Sequence, residues 1–251
     1  MRTTRDASRD PASGAHNDTP RLLITAGPTY EPIDAVRFIG NRSSGRLGGA
    51  VADDWAKAGW SVTMLLGPNA AAPDEQQITV IRFGSVADLE TLLTEHLPGC
   101  DVLVMAAAVS DYRPAASDVD LGGKRRRGGS MPLALEPTPD LLAGCAQRAR
   151  PDQLLVGFAL EPRAELMASA ERKLVRKNID LIVANPLETM DAGEIEATLL
   201  RRTGDAAEVV GSTDGTVSKQ AFAGWLRARV EPLAAQRTSE GTTTTREAGD
   251  G

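Results

Sequence analysis

The chain has 251 residues, with 28 Lys and Arg against 34 Asp and Glu and a formal net charge of −6. That balance argues against a general nucleic-acid or membrane-surface binder and leaves room only for a local basic cluster. Cys100 and Cys145 lack C-x-x-C spacing, and His16 and His96 are the only histidines, so the composition favours reduced, buried thiols in a cytoplasmic protein over His-based catalysis or a His/Cys metal site.

Met1 to Thr19 is rich in Arg, Asp, Ser and Ala and has no apolar h-region, so it reads as a disordered tail, not a secretory signal. Gln236 to Gly251 reads the same way, which leaves one domain over residues 20–235. No apolar run reaches the roughly 18–20 residues of a membrane span. Leu22-Leu23-Ile24-Thr25 is a hydrophobic run that enters the turn Ala26-Gly27-Pro28-Thr29. A polar loop continues to Gly40-Asn41-Arg42-Ser43-Ser44-Gly45, and Gly45 opens an amphipathic stretch from Leu47 to Ala58. Strand, glycine-rich loop and helix together aim backbone N–H groups and a helix dipole at an anion. A plain connection takes about 2–6 residues. This one runs from Gly27 to Gly45 and is read as a site.

Ser61 to Leu66 is a buried strand ending at Gly67-Pro68, and Ile78 to Phe83 is another strand. Val86, Leu89, Leu92, Leu93 and Leu97 recur at helical period. Asp101 to Ala108 is an unbroken apolar strand, buried on both faces. Asp118 to Gly129 breaks the alternation: Lys124-Arg125-Arg126-Arg127 is bracketed by glycine pairs, as in a mobile flap that closes over a polyanion or a solvated charged loop. Pro139-Asp140 starts a helix through Leu141, Leu142 and Cys145, with Thr138 or Asp140 as its cap. Leu154 to Ala159 is a fifth strand, Ala164 to Asn178 a helix with Lys173 and Lys177 on one face, and Leu181 to Asn185 a sixth strand. Ala197–Arg202 and Ala207–Gly211 form a hairpin edge, a small β extension. Ser218 opens a final helix with Phe222, Trp225, Leu226 and Val230 on its apolar side. Strands alternating with helices predict an α/β fold, a Rossmann-like, mostly parallel sheet flanked by helices.

A dinucleotide-dependent oxidoreductase is the first enzyme class to weigh. It requires G-x-G-x-x-G in one compact turn and a carboxylate at the end of the second strand. Here the glycine turn is split by a long insertion, and the second strand ends Leu65-Leu66-Gly67-Pro68. A Walker-type loop is missing as well, since no G-K-[ST] occurs.

Several stretches carry a resemblance: Ile24 to Thr29, Glu31 to Asp34, Val36 to Ile39 and Asn41 to Gly45 at the start, then Ala106 to Arg113. Thr138 to Leu142, Val156 to Ala159 and Lys173 to Asn178 follow in order. Together they resemble phosphopantothenate–cysteine ligase (phosphopantothenoylcysteine synthetase), collinearly over roughly 20–230. The resemblance implies a two-step ligase of coenzyme A biosynthesis. The carboxylate of 4′-phosphopantothenate attacks the nucleotide α-phosphate, giving an acyl-nucleotidylate and pyrophosphate. The amine of L-cysteine then displaces the nucleoside monophosphate. Bacterial members use CTP with Mg²⁺, eukaryotic ones typically ATP, and CTP is expected here. Members are typically homodimers, with the Trp225 helix or the 197–211 hairpin as interfaces to test. In many bacteria a flavin-dependent decarboxylase domain precedes the ligase; here the decarboxylase is expected to be a separate protein.

The resemblance assigns Gly27, Thr29, Arg37, Asn41, Ser43, Ser44 and Gly45 to substrate binding. Asn41 would hold the acyl group, its amide offering a donor and an acceptor without added negative charge; read alone it is also a turn former. Met105, Ala106, Ala107 and Asp111 would meet the nucleotide, where Asp111 read alone is also a helix cap. Pro139, Asp140, Leu141 and Leu142 would add contacts from a helix start. Phe158 would pack on the base, and Lys173 and Lys177 would face the nucleotide, where composition alone reads a core aromatic and a solvated helix face. The flap departs from the family's usual lysine-rich form: its terminal, catalytic lysine falls on Arg127, or on Arg126 with the one-residue slip the glycines allow, and arginine keeps the charge but spreads it over a planar fork. Phe158-Ala159-Leu160-Glu161-Pro162 also departs, replacing the usual Phe-Ala-Ala-Glu-Thr. The competing readings are an NAD(P)-dependent oxidoreductase and a non-catalytic nucleotide-sensing protein. The metal ligands are left unassigned.

Overall fold

The computed structural model describes residues 19–126, 128–189 and 192–247. The first strands are β1 (Arg21–Ala26), β2 (Tyr30–Pro32), β3 (Phe38–Gly40), β4 (Ser61–Leu66), β5 (Thr79–Arg82), β6 (Val102–Met105) and β7 (Tyr112–Pro114). They are followed by β8 (Leu135–Pro137), β9 (Leu154–Glu161), β10 (Leu181–Pro186), β11 (Glu194–Ile195), β12 (Thr198–Thr203), β13 (Ala206–Ser212) and β14 (Val217–Ser218). The helices are α1 (Arg46–Lys57), α2 (Val86–His96), α3 (Leu141–Arg148), α4 (Leu166–Arg176) and α5 (Lys219–Glu247).

The central sheet has the order β13-β12-β10-β9-β6-β1-β4-β5. From β5 to β10 every pairing is parallel, and β12 and β13 add an antiparallel edge. Renumbered among themselves, the parallel strands run 3-2-1-4-5-6, so the winding reverses between β1 and β6. Ligands of such sheets bind at that reversal, outside the carboxyl ends of the strands.

Strand alternation divides the buried side chains into two cores. Leu22, Ile24, Val102, Val104, Val156 and Val183 face one side, where Trp55 of α1 and Phe222, Leu226 and Val230 of α5 cover them. Leu23, Leu103, Met105, Leu155 and Ile182 face the other, under Leu89 and Leu93 of α2, Cys145 of α3 and Leu174 of α4. An unbroken apolar run is what a strand buried on both faces requires. Both cysteines are free and buried.

Several boundaries shift. The strand read as Asp101 to Ala108 stops at Met105: Ala106 N still bonds Thr25 O at 3.1 Å, but Ala107 N is taken by the Thr25 side chain, bonding Oγ1 at 3.1 Å. The polar loop after β1 contains the β2–β3 hairpin, pinned by stacking of Tyr30 on Phe38 at 3.7 Å. The β7–β8 pair and the β11–β14 pair were likewise illegible, being too short to show a period of two. Helical backbone in α5 continues to Glu247, and Arg237 is fastened to Asp180 at 2.5 Å and to Gln153 O at 2.5 Å. The helix therefore continues past residue 235, into the stretch that composition reads as a disordered tail. The N-terminal tail lies outside the described residues. Among those described, no helix is long and apolar enough to cross a membrane.

Candidate active site at the winding reversal

Close backbone approach shapes the first part of the site. Gly27 and Gly45 have φ of +83° and +72°, and a Cβ on either would lie 2.8 or 2.7 Å from Ala70 Cβ. Only glycine adopts that left-handed backbone without strain, and only glycine leaves room for Ala70. Gly48 lets α1 press onto β1, since a Cβ there would stand 2.4 Å from Ala26 Cβ. α1 begins at Gly45 without a side-chain cap, and the hydroxyls of Ser43 and Ser44 make no hydrogen bond among the described residues. The first-turn amides and these hydroxyls can therefore receive an anion.

Asn41 crosses from this loop to the chain leaving β6. Its Nδ2 donates to Val109 O at 3.0 Å and Ala108 O at 3.3 Å, and the residue is exposed. Thr29 is placed differently from its expected role. It is fully buried, donates from Oγ1 to Ser110 Oγ at 3.0 Å and accepts from Ser110 N at 2.9 Å. Its hydroxyl thus ties the Gly27 turn to the β6 loop and positions both.

The expected nucleotide residues converge on one cleft of about 250 Å³. Met105, Ala107 and Asp111 line it from the β6 side, Pro139 to Leu142 from the start of α3, Phe158 from β9, and Lys173 and Lys177 from α4. Ala106 instead packs toward the α1 core. Phe158 has a double placement, lining the cleft while its ring lies 6.4 Å from that of Phe222.

Both lysines are held by carboxylates. Lys177 Nζ lies 2.6 Å from each oxygen of Asp140, which also caps α3 by accepting from Ala143 N at 3.2 Å. Burial alone would raise the Asp140 pKa; the Lys177 ammonium and the cap bond outweigh it and hold the carboxyl below its ordinary value. Lys173 Nζ lies 2.6 Å from Glu161 Oε1, which also accepts from Ser169 Oγ at 3.0 Å. Chiefly through the Lys173 hydrogen bond, Glu161 too is held below the ordinary carboxylate range.

The basic flap joins β7 to β8 and is clasped at its base by Asp34. That carboxylate accepts from Val36 N and Arg37 N at 2.8 Å each, from Arg125 N at 3.2 Å, and from Arg37 Nη1 at 2.7 Å. Burial opposes ionisation, yet these donors lower its pKa to about 2. Arg125 turns inward, its Nη2 bonding Asp118 O at 2.5 Å, so one member of the cationic run is structural. Lys124 and Arg126 are exposed. Arg37 belongs to this clasp and does not join Gly27 and Gly45. Arg127 lies outside the described residues.

Five residues that line the cleft had no role assigned from the sequence: Val109, Ser110, Thr138, Arg176 and Ile182. Ser110 and Thr138 lock two cleft walls together, Thr138 Oγ1 donating to Ser110 O at 2.5 Å, and Arg176 adds a cation beside Lys177. Thr138 stood out as a candidate cap, a role Asp140 takes, while Ser110 and Arg176 lay inside motif stretches without being singled out.

Residues 18–230 match the family model described as the DNA/pantothenate metabolism flavoprotein C-terminal domain. The chain is 40% identical over 187 residues to the coenzyme A biosynthesis bifunctional protein CoaBC of Mycolicibacterium smegmatis, covering 70% of this chain and 44% of that protein. It is 45% identical over 174 residues to a protein from an unknown prokaryotic organism named cysteine/cysteine sulfinic acid decarboxylase, covering 69% and 47%. The chain thus spans about half the length of these curated relatives, 44% and 47%. Among solved structures, the C-terminal domain of a CoaBC superposes with a TM-score of 0.70 at 31% identity, over 86% of this chain and 96% of that one. A Cab2 mutant complexed with phosphopantothenate-cysteine superposes with a TM-score of 0.72 at 19% identity, over 89% of each chain, a likeness of fold alone.

Proposed function

The chain belongs to the DNA/pantothenate metabolism flavoprotein C-terminal domain family, and on that premise we propose that it is a phosphopantothenate–cysteine ligase of coenzyme A biosynthesis using CTP. One observation carries the reading: Asn41 is bonded to the Ala108–Val109 loop, whose continuation through Asp111 lines the lysine-walled cleft. An acyl group held at Asn41 and a nucleotide in the cleft would share that loop as a common wall.

In the first step an oxygen of the 4′-phosphopantothenate carboxylate bonds to the α-phosphorus of CTP, and the bond to the leaving pyrophosphate breaks. In the second, the cysteine amine bonds to the acyl carbon, loses a proton, and CMP leaves with the electron pair. Substrate groups do the attacking, so the protein's task is placement and charge compensation. The α1 amides and Ser43 and Ser44 receive the anionic substrate. Lys173, Lys177 and Arg176 balance the nucleotide, and the exposed flap cations, with Arg127 at the catalytic position, close on the phosphates.

Mg²⁺ fits as the counter-ion of the triphosphate. Among the described residues no three His, Cys, Asp or Glu side chains gather, and Mg²⁺ at phosphates commonly needs only one or two carboxylates. A homodimer and a phosphopantothenoylcysteine decarboxylase acting on the product complete the proposal.

The test is pyrophosphate release from CTP and 4′-phosphopantothenate before cysteine is added, followed by CMP release on its addition. Failure to release pyrophosphate with either CTP or ATP overturns the assignment.

A further inference from the structure

The sheet is covered unequally at its antiparallel end. On one face α5 packs against β9, while on the other α4 is the last helix and the β12–β13 hairpin extends past it. Between α4 and the hairpin turn lies a groove of about 840 Å³. Its hairpin side is apolar: Ala206 and Ala207 line it, and Ala207 packs onto the core beneath α4. Val209 shares the face of Ala207 by strand alternation and is 57% exposed.

The helix side is cationic. Arg172 and Arg176 stand one turn apart, both exposed, and neither guanidinium has a hydrogen-bonded or ion-paired partner among the described residues. Lys173 lies beside them but is held by Glu161. Glu171 and Asp205 also line the groove, so three cations meet two carboxylates. Two adjacent planar forks that make no hydrogen bond among the described residues, attracted only at longer range by Glu161 (Arg172) and Asp140 (Arg176), suit a carboxylate, sulfonate or phosphate. Lys173 and Arg176 line the nucleotide cleft as well, so the two cavities share a wall.

We propose that the groove between α4 and the β12–β13 turn is a second ligand site, for a small organic anion with an apolar body. The anionic group pairs with Arg172 and Arg176, and the apolar body lies on Ala206 and Ala207. Because Arg176 and Lys173 serve both cavities, occupancy of the groove changes the affinity of the cleft for nucleotide, and the reverse.

The probe is 8-anilinonaphthalene-1-sulfonate, titrated by fluorescence against the full chain. Saturable binding is expected, weakened about tenfold or more by Arg172→Glu and abolished by Ala206→Trp, which fills the groove. Both positions are exposed, and thermal melts matching the parent confirm that each variant is folded. With the probe saturating, the CTP dissociation constant from calorimetry shifts about fivefold or more. Binding insensitive to both variants, or a CTP dissociation constant that climbs in proportion to probe concentration without levelling off, as competition for one site requires, overturns the proposal. So does dimerisation that Ala206→Trp abolishes, which would give the face to a second copy. The fluorescence arm needs no turnover, so failure of the ligase reading leaves it intact.

Discussion

The Asn41 amide donates to Val109 O at 3.0 Å, fastening the loop that enters α1 to the loop that leaves β6 across the winding reversal. An aspartate in its place would set a carboxylate against the carbonyls of Ala108 and Val109 and against any incoming anion. Asn41→Asp is expected to lower turnover by about 100-fold or more. Stability should fall by only about 1 kcal/mol, the worth of the lost bonds at an exposed site. Steady-state pyrophosphate release beside a denaturant titration checks both; an undiminished kcat would remove Asn41 from the mechanism.

Gly45 and Ala70 meet too closely for any side chain between them. Gly45→Ala is expected to destabilise the fold by about 1–2 kcal/mol from the left-handed backbone alone, with the 2.7 Å clash against Ala70 Cβ added. The double variant Gly45→Ala/Ala70→Gly should recover the steric part and leave the conformational part. Urea unfolding of the two variants separates these contributions, and an identical loss in both would show that the clash is relaxed elsewhere.

Lys177 Nζ grips Asp140 at 2.6 Å to both carboxylate oxygens. Lys177→Gln is expected to raise KM for CTP about tenfold while leaving KM for cysteine unchanged, because cysteine enters at the acyl group. Asp140→Ala should cost about 1 kcal/mol of stability through loss of the α3 cap. Equal rises in both KM values would place Lys177 outside nucleotide binding.

The Asp34 clasp gives the flap a pH signature. Its folded pKa of about 2 lies below the ordinary 3.8, so its stabilisation is fully present above pH 4 and is lost as pH falls from there through 2. Hydrogen exchange of the Val36, Arg37 and Arg125 amides should accelerate over that window beyond the intrinsic trend. Asp34→Asn should show fast exchange at every pH and no such transition. Protection equal to the parent in Asp34→Asn would mean that the backbone bonds to Gly123 and Ile33 hold the flap unaided.

The layered α/β architecture was legible along the chain, because unbroken apolar runs and helical periods are local patterns that survive without knowledge of their neighbours. Leu22 to Thr25, Leu154 to Ala159 and Leu181 to Asn185 announce strands buried on both faces, and Leu89 and Leu93 announce a covering helix. The motifs also marked most walls of the cleft, from Met105 to Lys177. Which of those residues are free to bind became visible only in the folded chain. Thr29 looked like a substrate ligand and proved to be bonded to Ser110, 81 positions away. Arg125 looked like one of several flap cations and is turned in toward Asp118, while its backbone is held by Asp34, 91 positions away. Arg172 and Arg176, by contrast, were not singled out in the sequence and stand over an open groove. Each of these outcomes depends on a partner brought close by the winding of the sheet, and hydrogen-bond satisfaction between distant residues leaves no periodic trace in the chain.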